Sequence, residues 1–142
     1  MYLWDTNIVR YFGQGHPTLR LHLVRVPWAE IALPSVVVAE VLRGRCDFAL
    51  KASPAEAPLA HQRLLETQQM PTQFRVVPFD KSCATVLERL RKKHRRRKRY
   101  ADLMIAAMAE AGGHIIVTRN QDDFVDLLPQ AQLVNWIDDP PR

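Results

Sequence analysis

Short apolar segments with strand character alternate with longer segments of helical periodicity along the 142 residues of this chain. Strands are predicted at 2–4, 30–33, 74–79 and 115–117, with a last, edge strand at 133–136. Helices are predicted at 8–12, 17–26, 35–42, 81–93 and 100–111, and a further helical stretch follows a loop at 52–58 and ends near residue 69. Strands that alternate with helices predict one α/β domain, residues 1–142, built on a mainly parallel sheet.

The segment 35–42, after the second predicted strand, admits two interpretations. Three consecutive valines at 36–38 favour a strand, because β-branched residues fit a pleated surface well. We favour a helix that Ser35 caps and Gly44 ends, because a strand, an N-cap serine and a terminating glycine form one consistent βα unit.

The net charge of +5 comes from one short region of the sequence. Residues 89–99 contain nine lysines and arginines and no acidic residue, whereas the other residues carry 11 basic and 15 acidic side chains. A basic stretch on an otherwise mildly acidic protein is typical of a surface that binds nucleic-acid phosphates. A solvated helix end and a contact for an acidic protein segment are the alternatives that the charge leaves open.

The composition argues against a membrane or secreted protein. No apolar run approaches the roughly 20 residues that cross a bilayer, and the N-terminus lacks the basic and apolar regions of a secretory signal. Cys46 and Cys83 form neither a CxxC motif nor a disulfide framework. We therefore expect a cytoplasmic protein with reduced thiols and no membrane contact.

Four acidic residues stand beside the apolar segments, where a charged group is costly to remove from water. Asp5 follows the first strand, Glu40 lies in the helix after the second, Asp102 opens a helix, and Asp123 lies beyond the strand at 115–117. Ligands of open parallel sheets gather at the carboxyl ends of the strands, so we expect the four acids to meet there. A divalent cation that prefers hard oxygen ligands, Mg²⁺ or Mn²⁺, would relieve their mutual repulsion.

A carboxylate site of this kind predicts hydrolysis of a phosphodiester. The metal would lower the pKa of bound water and neutralise charge on the pentavalent phosphate, and a second metal would stabilise the leaving oxygen. The sequence does not choose between one metal and two.

Each acid also has an ordinary structural interpretation. Asp5 would cap the following helix, Glu40 would be a solvated helix residue, and Asp102 would interact with a helix dipole. Asp122 is the alternative to Asp123 as the fourth acid, and either would cap a helix that follows them.

The residues around these acids resemble the motifs of PIN-domain ribonucleases. The segment 4–7, Trp-Asp-Thr-Asn, is similar to the DTN signature that opens those proteins. The segments 39–44 (Ala-Glu-Val-Leu-Arg-Gly) and 102–107 (Asp-Leu-Met-Ile-Ala-Ala) resemble the second and third motifs, and 118–124 (Thr-Arg-Asn-Gln-Asp-Asp-Phe) matches the family's TRNxxDF. The resemblance runs from Asp5 to Trp136, and the short chain favours the VapC-type toxins of bacterial toxin–antitoxin pairs.

The resemblance implies an α/β/α sandwich, dependence on Mg²⁺ or Mn²⁺, and endoribonuclease activity through metal-activated water. It also implies a homodimer, inhibition by a small VapB-like antitoxin whose tail enters the site, and DNA binding only indirectly, through that antitoxin. A housekeeping PIN nuclease of RNA processing and a non-catalytic RNA-binding domain built on residues 89–99 are the alternatives. The RNA target, whether tRNA, rRNA or mRNA, is left open.

The resemblance also assigns roles to individual residues. The acids that would bind metal and act in catalysis are Asp5, Glu40, Asp102 and Asp123. Thr6 and Asn7 are expected to orient the first acid, and Thr118 and Asn120 to support the pocket through hydrogen bonds. The basic residues expected to bind RNA are Arg95, Arg96, Arg97, Lys98, Arg99 and Arg119. For the last of these, a simple ion pair with a nearby acid is the alternative.

Two features depart from the family pattern. Many relatives have a short loop with glycine and proline before the third acid, whereas here the basic run 95–99 leads to Tyr100. This departure predicts an altered grip on substrate or altered antitoxin contacts. Trp4 stands where a small aliphatic residue is usual, which predicts a crowded first strand without an effect on the chemistry.

Overall fold

The computed structural model describes residues 1–96 and 99–142, and its centre is a sheet of five parallel strands. In chain order the strands are β1 (Tyr2–Trp4), β2 (Ile31–Pro34), β3 (Arg75–Val77), β4 (Ile115–Val117) and β5 (Leu133–Val134). Their order across the sheet is β3-β2-β1-β4-β5, and each pairing of neighbours is parallel. The predicted parallel sheet is confirmed, as is the edge position of the last strand.

Seven α-helices flank the sheet in the described part of the chain. They are α1 (Thr6–Gly13), α2 (Pro17–Arg25), α3 (Ser35–Lys51), α4 (Ala57–Thr67), α5 (Met70–Gln73), α6 (Lys81–Lys93) and α7 (Tyr100–Gly112). Short 3-10 turns lie at Trp28–Glu30, Gln121–Asp123 and Gln130–Gln132. The helices lie on both faces of the sheet, so the α/β/α sandwich expected from the sequence is confirmed.

The two faces of the sheet are covered by separate apolar cores, because side chains alternate between the faces along each strand. Leu3 and Ile116 enter one core, which they share with buried residues of α6 and α7. Trp4 and Val117, one residue further along, enter the other core, which contains residues of α1, α2 and α5. This alternation fixes the register of β1 against β4 and therefore the positions of the residues that follow both strands.

Helix α3 is longer than predicted. It runs from Ser35 to Lys51, so Gly44 lies inside it rather than at its end. Ser35 is the first helical residue and forms no side-chain cap; Pro34 occupies the N-cap position. The packing of α3 against α4 and α7 outweighs the cost of an internal glycine, about 1 kcal/mol relative to alanine.

Other boundaries shift by a few residues. The third strand spans only Arg75–Val77 rather than 74–79, and the last strand ends at Val134. Helix α4 begins at Ala57, inside the predicted loop, and the short helix α5 was not predicted because it contains Pro71. Helix α6 has the predicted bounds, and α7 ends as predicted at the glycine pair, where Gly113 has a φ of 64° that favours glycine.

Two adjacent strands, β1 and β4, mark the point where the strand order of the sheet reverses. From β1 the chain proceeds to β2 and β3 on one side, whereas β4 and β5 lie on the other side. Ligands of open α/β sheets bind outside the carboxyl ends of the strands at such a reversal. The residues directly after Trp4 and Val117 therefore occupy the place where a ligand is expected.

None of the helices in residues 1–96 and 99–142 is both long enough and apolar enough to cross a membrane.

Candidate functional site

Asp5 follows β1 directly and is held by hydrogen bonds to its backbone and to its side chain. Its backbone N–H donates to the carbonyl oxygen of Val117 at 3.2 Å, which continues the pairing of β1 with β4. One carboxylate oxygen accepts from the backbone N–H of Ile8 at 3.0 Å, so Asp5 caps α1. The other accepts from the hydroxyl of Thr118 at 2.6 Å. The buried Asp5 side chain, which is 7% exposed, thus caps α1 and also presents a carboxylate in a fixed position.

Burial raises the pKa of the Asp5 carboxyl above its ordinary value. The hydrogen bonds from Thr118 and from the backbone of Ile8 act in the opposite direction, and the negative charge of Glu40 adds to the increase. The ionised carboxylate is therefore disfavoured in the folded protein, and a nearby positive charge would stabilise it.

Glu40 lies in α3, and its carboxylate faces α1. The hydroxyl of Thr6 donates to Glu40 Oε1 at 2.8 Å. Thr6, expected to orient Asp5, is the first residue of α1, and its hydroxyl contacts Glu40 of α3 in this structure. Thr118, expected to support the pocket, is the residue whose hydroxyl holds Asp5. Thr118 is fully buried and also accepts the backbone N–H of Asn120 at 3.0 Å.

Asp102 lies in the first turn of α7, three residues after Arg99. Arg99 contacts two of the predicted acids: its Nη2 lies 3.6 Å from Glu40 Oε2, and its Nε lies 3.6 Å from Asp102 Oδ2. The two carboxylate side chains are 15% and 10% exposed, whereas the arginine is 73% exposed. Arg99 therefore enters the acidic site from the surface and supplies positive charge between two acids.

Burial also raises the pKa of the Asp102 carboxyl, although the charge of Arg99 lowers it. The charges of Asp123, Glu40 and Asp5 raise it further. Asp102 thus experiences the field of the three other predicted acids, which places all four in one electrostatic environment.

The four acids line one polar cavity of about 210 Å³ at the carboxyl ends of β1 and β4. Its polar lining consists of Asp5, Thr6, Asn7, Glu40, Arg99, Asp102, Asn120 and Asp123. Ile105 and Phe124 complete the wall. The structure thus brings together the four acids and three of the four supporting residues predicted from the sequence, and the fourth, Thr118, lies beneath Asp5.

Of the two neighbouring acids Asp122 and Asp123, only Asp123 lines the acidic cavity. Both lie in the 3-10 turn Gln121–Asp123, so neither caps a helix at the next residue as the sequence had suggested. The Asp123 backbone N–H donates to the carbonyl oxygen of Asn120 at 3.1 Å, and the Asp123 side chain lines the acidic cavity. Asp122 does not line that cavity; it faces a neighbouring one together with Arg119.

The chemistry of the cavity suits a hard divalent cation, because its donors are carboxylate, amide and hydroxyl oxygens without sulfur or imidazole. Within residues 1–96 and 99–142, however, no group of three or more His, Cys, Asp or Glu side chains is arranged to hold a metal ion. The guanidinium of Arg99 is the positive charge that Glu40 and Asp102 contact here. The oxygen donors of the cavity fit a divalent cation in kind.

The other basic residues predicted to bind RNA have different surroundings. Arg95 and Arg96 are exposed in the turn after α6, and Arg97 and Lys98 lie outside the described residues. Arg119 donates to Asp138 Oδ2 at 3.0 Å and to the hydroxyl of Tyr11 at 2.8 Å, which lowers the pKa of that tyrosine. The simple ion pair considered for Arg119 is therefore present.

Trp4 does not crowd the first strand. It is fully buried and packs edge-on or tilted against Phe12, Trp28 and Phe74, with ring centroids 5.4, 6.0 and 5.5 Å away. The aromatic neighbours come from three different segments of the chain, so they provide the volume that a large residue needs at this position.

Three contacts of the site were not predicted from the sequence. The ion pair of Arg99 with Asp102 has the i, i+3 spacing of neighbours on a helix, so a sequence signal existed for it. The contacts of Glu40 with Thr6 and with Arg99 join residues 34 and 59 positions apart, and no local pattern in the sequence indicates them.

Residues 2–127 match the family model of the PIN domain. The chain therefore belongs to the PIN domain family, and this membership supports a hydrolase that acts on nucleic acids. Among curated proteins, none matches this sequence significantly.

Solved structures of toxin–antitoxin complexes have the same fold. FitAcB from Neisseria gonorrhoeae is 26% identical, with a TM-score of 0.71 over 96% of this chain and 98% of that chain. VapBC-5 from Mycobacterium tuberculosis, a member of the VapBC family of toxin–antitoxin systems, is 28% identical, with a TM-score of 0.54 over 74% and 79%. DNA-bound VapBC from Salmonella typhimurium has a TM-score of 0.75 over 95% and 97%, and at 20% identity it shows the fold alone.

Proposed function

We propose that this protein is a divalent-metal-dependent endoribonuclease and the toxin of a toxin–antitoxin pair. The observation that carries the proposal is the arrangement of four acids around one small polar cavity at the reversal point of a parallel sheet. A buried cluster of carboxylates is costly without a cation, and membership of the PIN domain family supports a nuclease.

In this proposal the four cavity acids, Asp5, Glu40, Asp102 and Asp123, hold Mg²⁺ or Mn²⁺. Bound there, the cation would supply positive charge to the phosphodiester and acidify a water molecule for attack on phosphorus. Thr118 keeps the Asp5 carboxylate in position from below, and Thr6 does the same for Glu40. Asn7 and Asn120 line the cavity and complete its set of oxygen donors.

Arg99 has a defined part in this proposal because it already contacts Glu40 and Asp102. Its side chain is largely exposed, so it can turn outward when the acids bind a divalent cation. Turned outward at the rim of the cavity, the guanidinium would lie beside the substrate phosphates, in agreement with the RNA-binding role predicted from the sequence.

The toxin assignment is supported by the solved structures that resemble this chain, which include a member of a toxin–antitoxin family at 28% identity. We infer a small VapB-like antitoxin as partner, a homodimer as the assembled toxin, DNA binding only through the antitoxin, and a cytoplasmic location. A small reading frame directly before this gene would support the toxin assignment, and its absence would favour a housekeeping PIN nuclease.

Removal of divalent metal should abolish the activity. Incubation of the purified protein with end-labelled single-stranded RNA and Mg²⁺ or Mn²⁺ should give internal cleavage products, because the cavity acids need a cation to act on a phosphodiester. The products are resolved on a denaturing gel, and excess EDTA should prevent their formation. Cleavage at the same rate in EDTA would contradict the proposal, and RNA binding without cleavage would favour the non-catalytic RNA-binding domain.

The neighbouring acids Asp122 and Asp123 offer a matched comparison. Asp123→Asn should lower the rate of RNA cleavage about tenfold or more, because it removes a carboxylate from the cavity that contains Asp102. Asp122→Asn removes the same charge one residue away, outside that cavity, and should change the rate by less than about twofold. Single-turnover rates of both variants test this assignment. A larger loss for Asp122→Asn than for Asp123→Asn would reverse it.

A further inference from the structure

A groove of about 660 Å³ runs beside the acidic cavity, between helices α1, α3 and α4. Arg10 comes from the last turn of α1, Arg45 from α3 and Arg63 from α4. The groove also contains two acids, Glu40 at its junction with the acidic cavity and Glu66 on α4. Three elements thus direct arginines into one depression of the surface.

These three arginines are not neutralised by carboxylates. In residues 1–96 and 99–142, Arg10, Arg45 and Arg63 form no ion pair; Arg10 lies over the ring of Tyr11, 5.4 Å from its centroid. Glu66 instead accepts a hydrogen bond from Gln62 at 2.9 Å. By contrast, Arg89, Arg99 and Arg119 each pair with an acid. Uncompensated guanidinium groups in a groove are a site for phosphate oxygens, which they bind with bidentate geometry.

The groove adjoins the acidic cavity, because Thr6 and Glu40 line both. Arg99 lines the acidic cavity and also a second depression next to Tyr100, at the end of the basic stretch 89–99. The acidic cavity thus adjoins two depressions that contain arginines, and a strand held in both would have a phosphodiester placed over the acids.

We propose that the groove with Arg10, Arg45 and Arg63 binds the sugar-phosphate backbone of the single-stranded RNA substrate on one side of the cleavage site. The inference rests on the proposed nuclease function and adds the path of the strand to it. Gly13 and Gly44 line the groove and have open space where a side chain would begin, so the backbone of the RNA can approach the floor of the groove closely. Contacts between arginines and phosphates bind RNA without discriminating between base sequences.

An acidic protein segment is the other polyanion that would fit three arginines. The position of the groove next to the acidic cavity favours RNA, because a substrate strand has to leave the cleavage site on both sides. An acidic protein segment has no such requirement to pass over the four acids.

The test uses the Asp5→Asn protein, which is expected to bind RNA without cutting it. Fluorescence anisotropy with a labelled single-stranded oligonucleotide gives the dissociation constant at several salt concentrations. Changing Arg10, Arg45 and Arg63 together to glutamine should weaken binding on the order of tenfold to a hundredfold near 0.1 M salt. The slope of log K against log salt should fall by about 2, since each lost phosphate contact on a single strand contributes about 0.7.

The matched control changes three exposed arginines that line neither the groove nor the acidic cavity: Arg20, Arg75 and Arg142. It alters the net charge by the same amount and should change the salt slope by less than about 0.7, because no phosphate contact is lost. Thermal unfolding followed by circular dichroism should show equal stability of both triple variants, since all the altered side chains lie at or near the surface.

Two results would overturn the proposal. Equal RNA affinity and equal salt slope in the groove variant and its Asp5→Asn parent would show that the strand takes another path. Loss of binding to a polyglutamate peptide, with RNA binding intact, would assign the groove to a protein partner. Failure of the proposed function looks different, because the wild-type protein would then cleave no RNA, whether or not the parent variant binds it.

Discussion

Replacing Asp5 with asparagine is expected to lower the rate of RNA cleavage at least about a hundredfold while the protein remains folded. The buried carboxylate of Asp5 is fixed at the carboxyl end of β1 by Thr118 and by the backbone of α1. An amide in its place is neutral and would no longer attract a divalent cation into the cavity.

The same substitution should not destabilise the protein. Asparagine is as good an N-cap as aspartate, so the hydrogen bond from the Ile8 backbone to residue 5 is kept. Burial raises the pKa of the Asp5 carboxyl, which means that the folded state binds more protons than the unfolded state. The ionised group therefore lowers stability as pH rises above its ordinary pKa, and the neutral amide should unfold at an equal or higher temperature at pH 7.

Two measurements separate these effects: single-turnover cleavage and thermal unfolding at pH 7. Asp5→Ala serves as the comparison, because it removes the carboxylate and also the cap, and it should be both inactive and less stable by about 1 kcal/mol. A well-folded Asp5→Asn protein that cleaves RNA at the wild-type rate would contradict the assigned role of Asp5.

Replacing Trp4 with alanine is expected to lower the free energy of unfolding by about 3–5 kcal/mol. Trp4 is fully buried, and its ring contacts Phe12, Trp28 and Phe74. Truncation would leave a cavity that these rings, anchored in different segments, cannot close. Because domains of this size are stable by about 5–15 kcal/mol, the loss would be a large part of the total. Urea unfolding, followed by circular dichroism, measures it.

Trp4→Phe is the matched control for this prediction. It keeps an aromatic ring and removes the indole N–H, which has no hydrogen-bond partner in the described part of the chain. The smaller side-chain volume lowers the free energy of unfolding, whereas removal of an unsatisfied donor raises it. The net change in the free energy of unfolding should therefore stay below about 1.5 kcal/mol. Trp28→Ala, at a side chain that is 44% exposed, should cost less than Trp4→Ala. If Trp4→Ala lowered the free energy of unfolding by less than about 1 kcal/mol, the aromatic packing around Trp4 would not have the importance given to it here.

The part of the fold that the sequence predicted depends on local signals. β-branched segments such as Ile115–Val117 have few alternatives to a buried strand, and the glycine pair before this strand ends α7 as expected. The meeting of Asp5, Glu40 and Asp123 was also predictable, because the segments that follow the carboxyl ends of parallel strands share one edge of the sheet. Asp102 lies at the start of α7, which follows α6 rather than a strand, so this rule does not place it.

The remaining features depend on contacts between distant residues. Helix α3 continues past Gly44 because α4 and α7 pack against it, and no residue near Gly44 signals that packing. Arg10, Arg45 and Arg63 are separated by 35 and 18 positions, so only the folded chain shows that they share a groove. Arg99 was assigned to RNA from its place in a basic stretch, whereas its contacts with Glu40 and Asp102 follow from the position of α7 beside α3.

A titration with Mn²⁺ measures directly whether the cavity acids hold a divalent cation. Electron paramagnetic resonance of the free ion measures binding without any need for RNA or turnover. We expect saturable binding to the wild-type protein and at least about tenfold weaker binding to Asp5→Asn, which keeps the fold but lacks one ligand. Equal Mn²⁺ affinity of the two proteins, or no saturable binding to the wild type, would contradict this expectation.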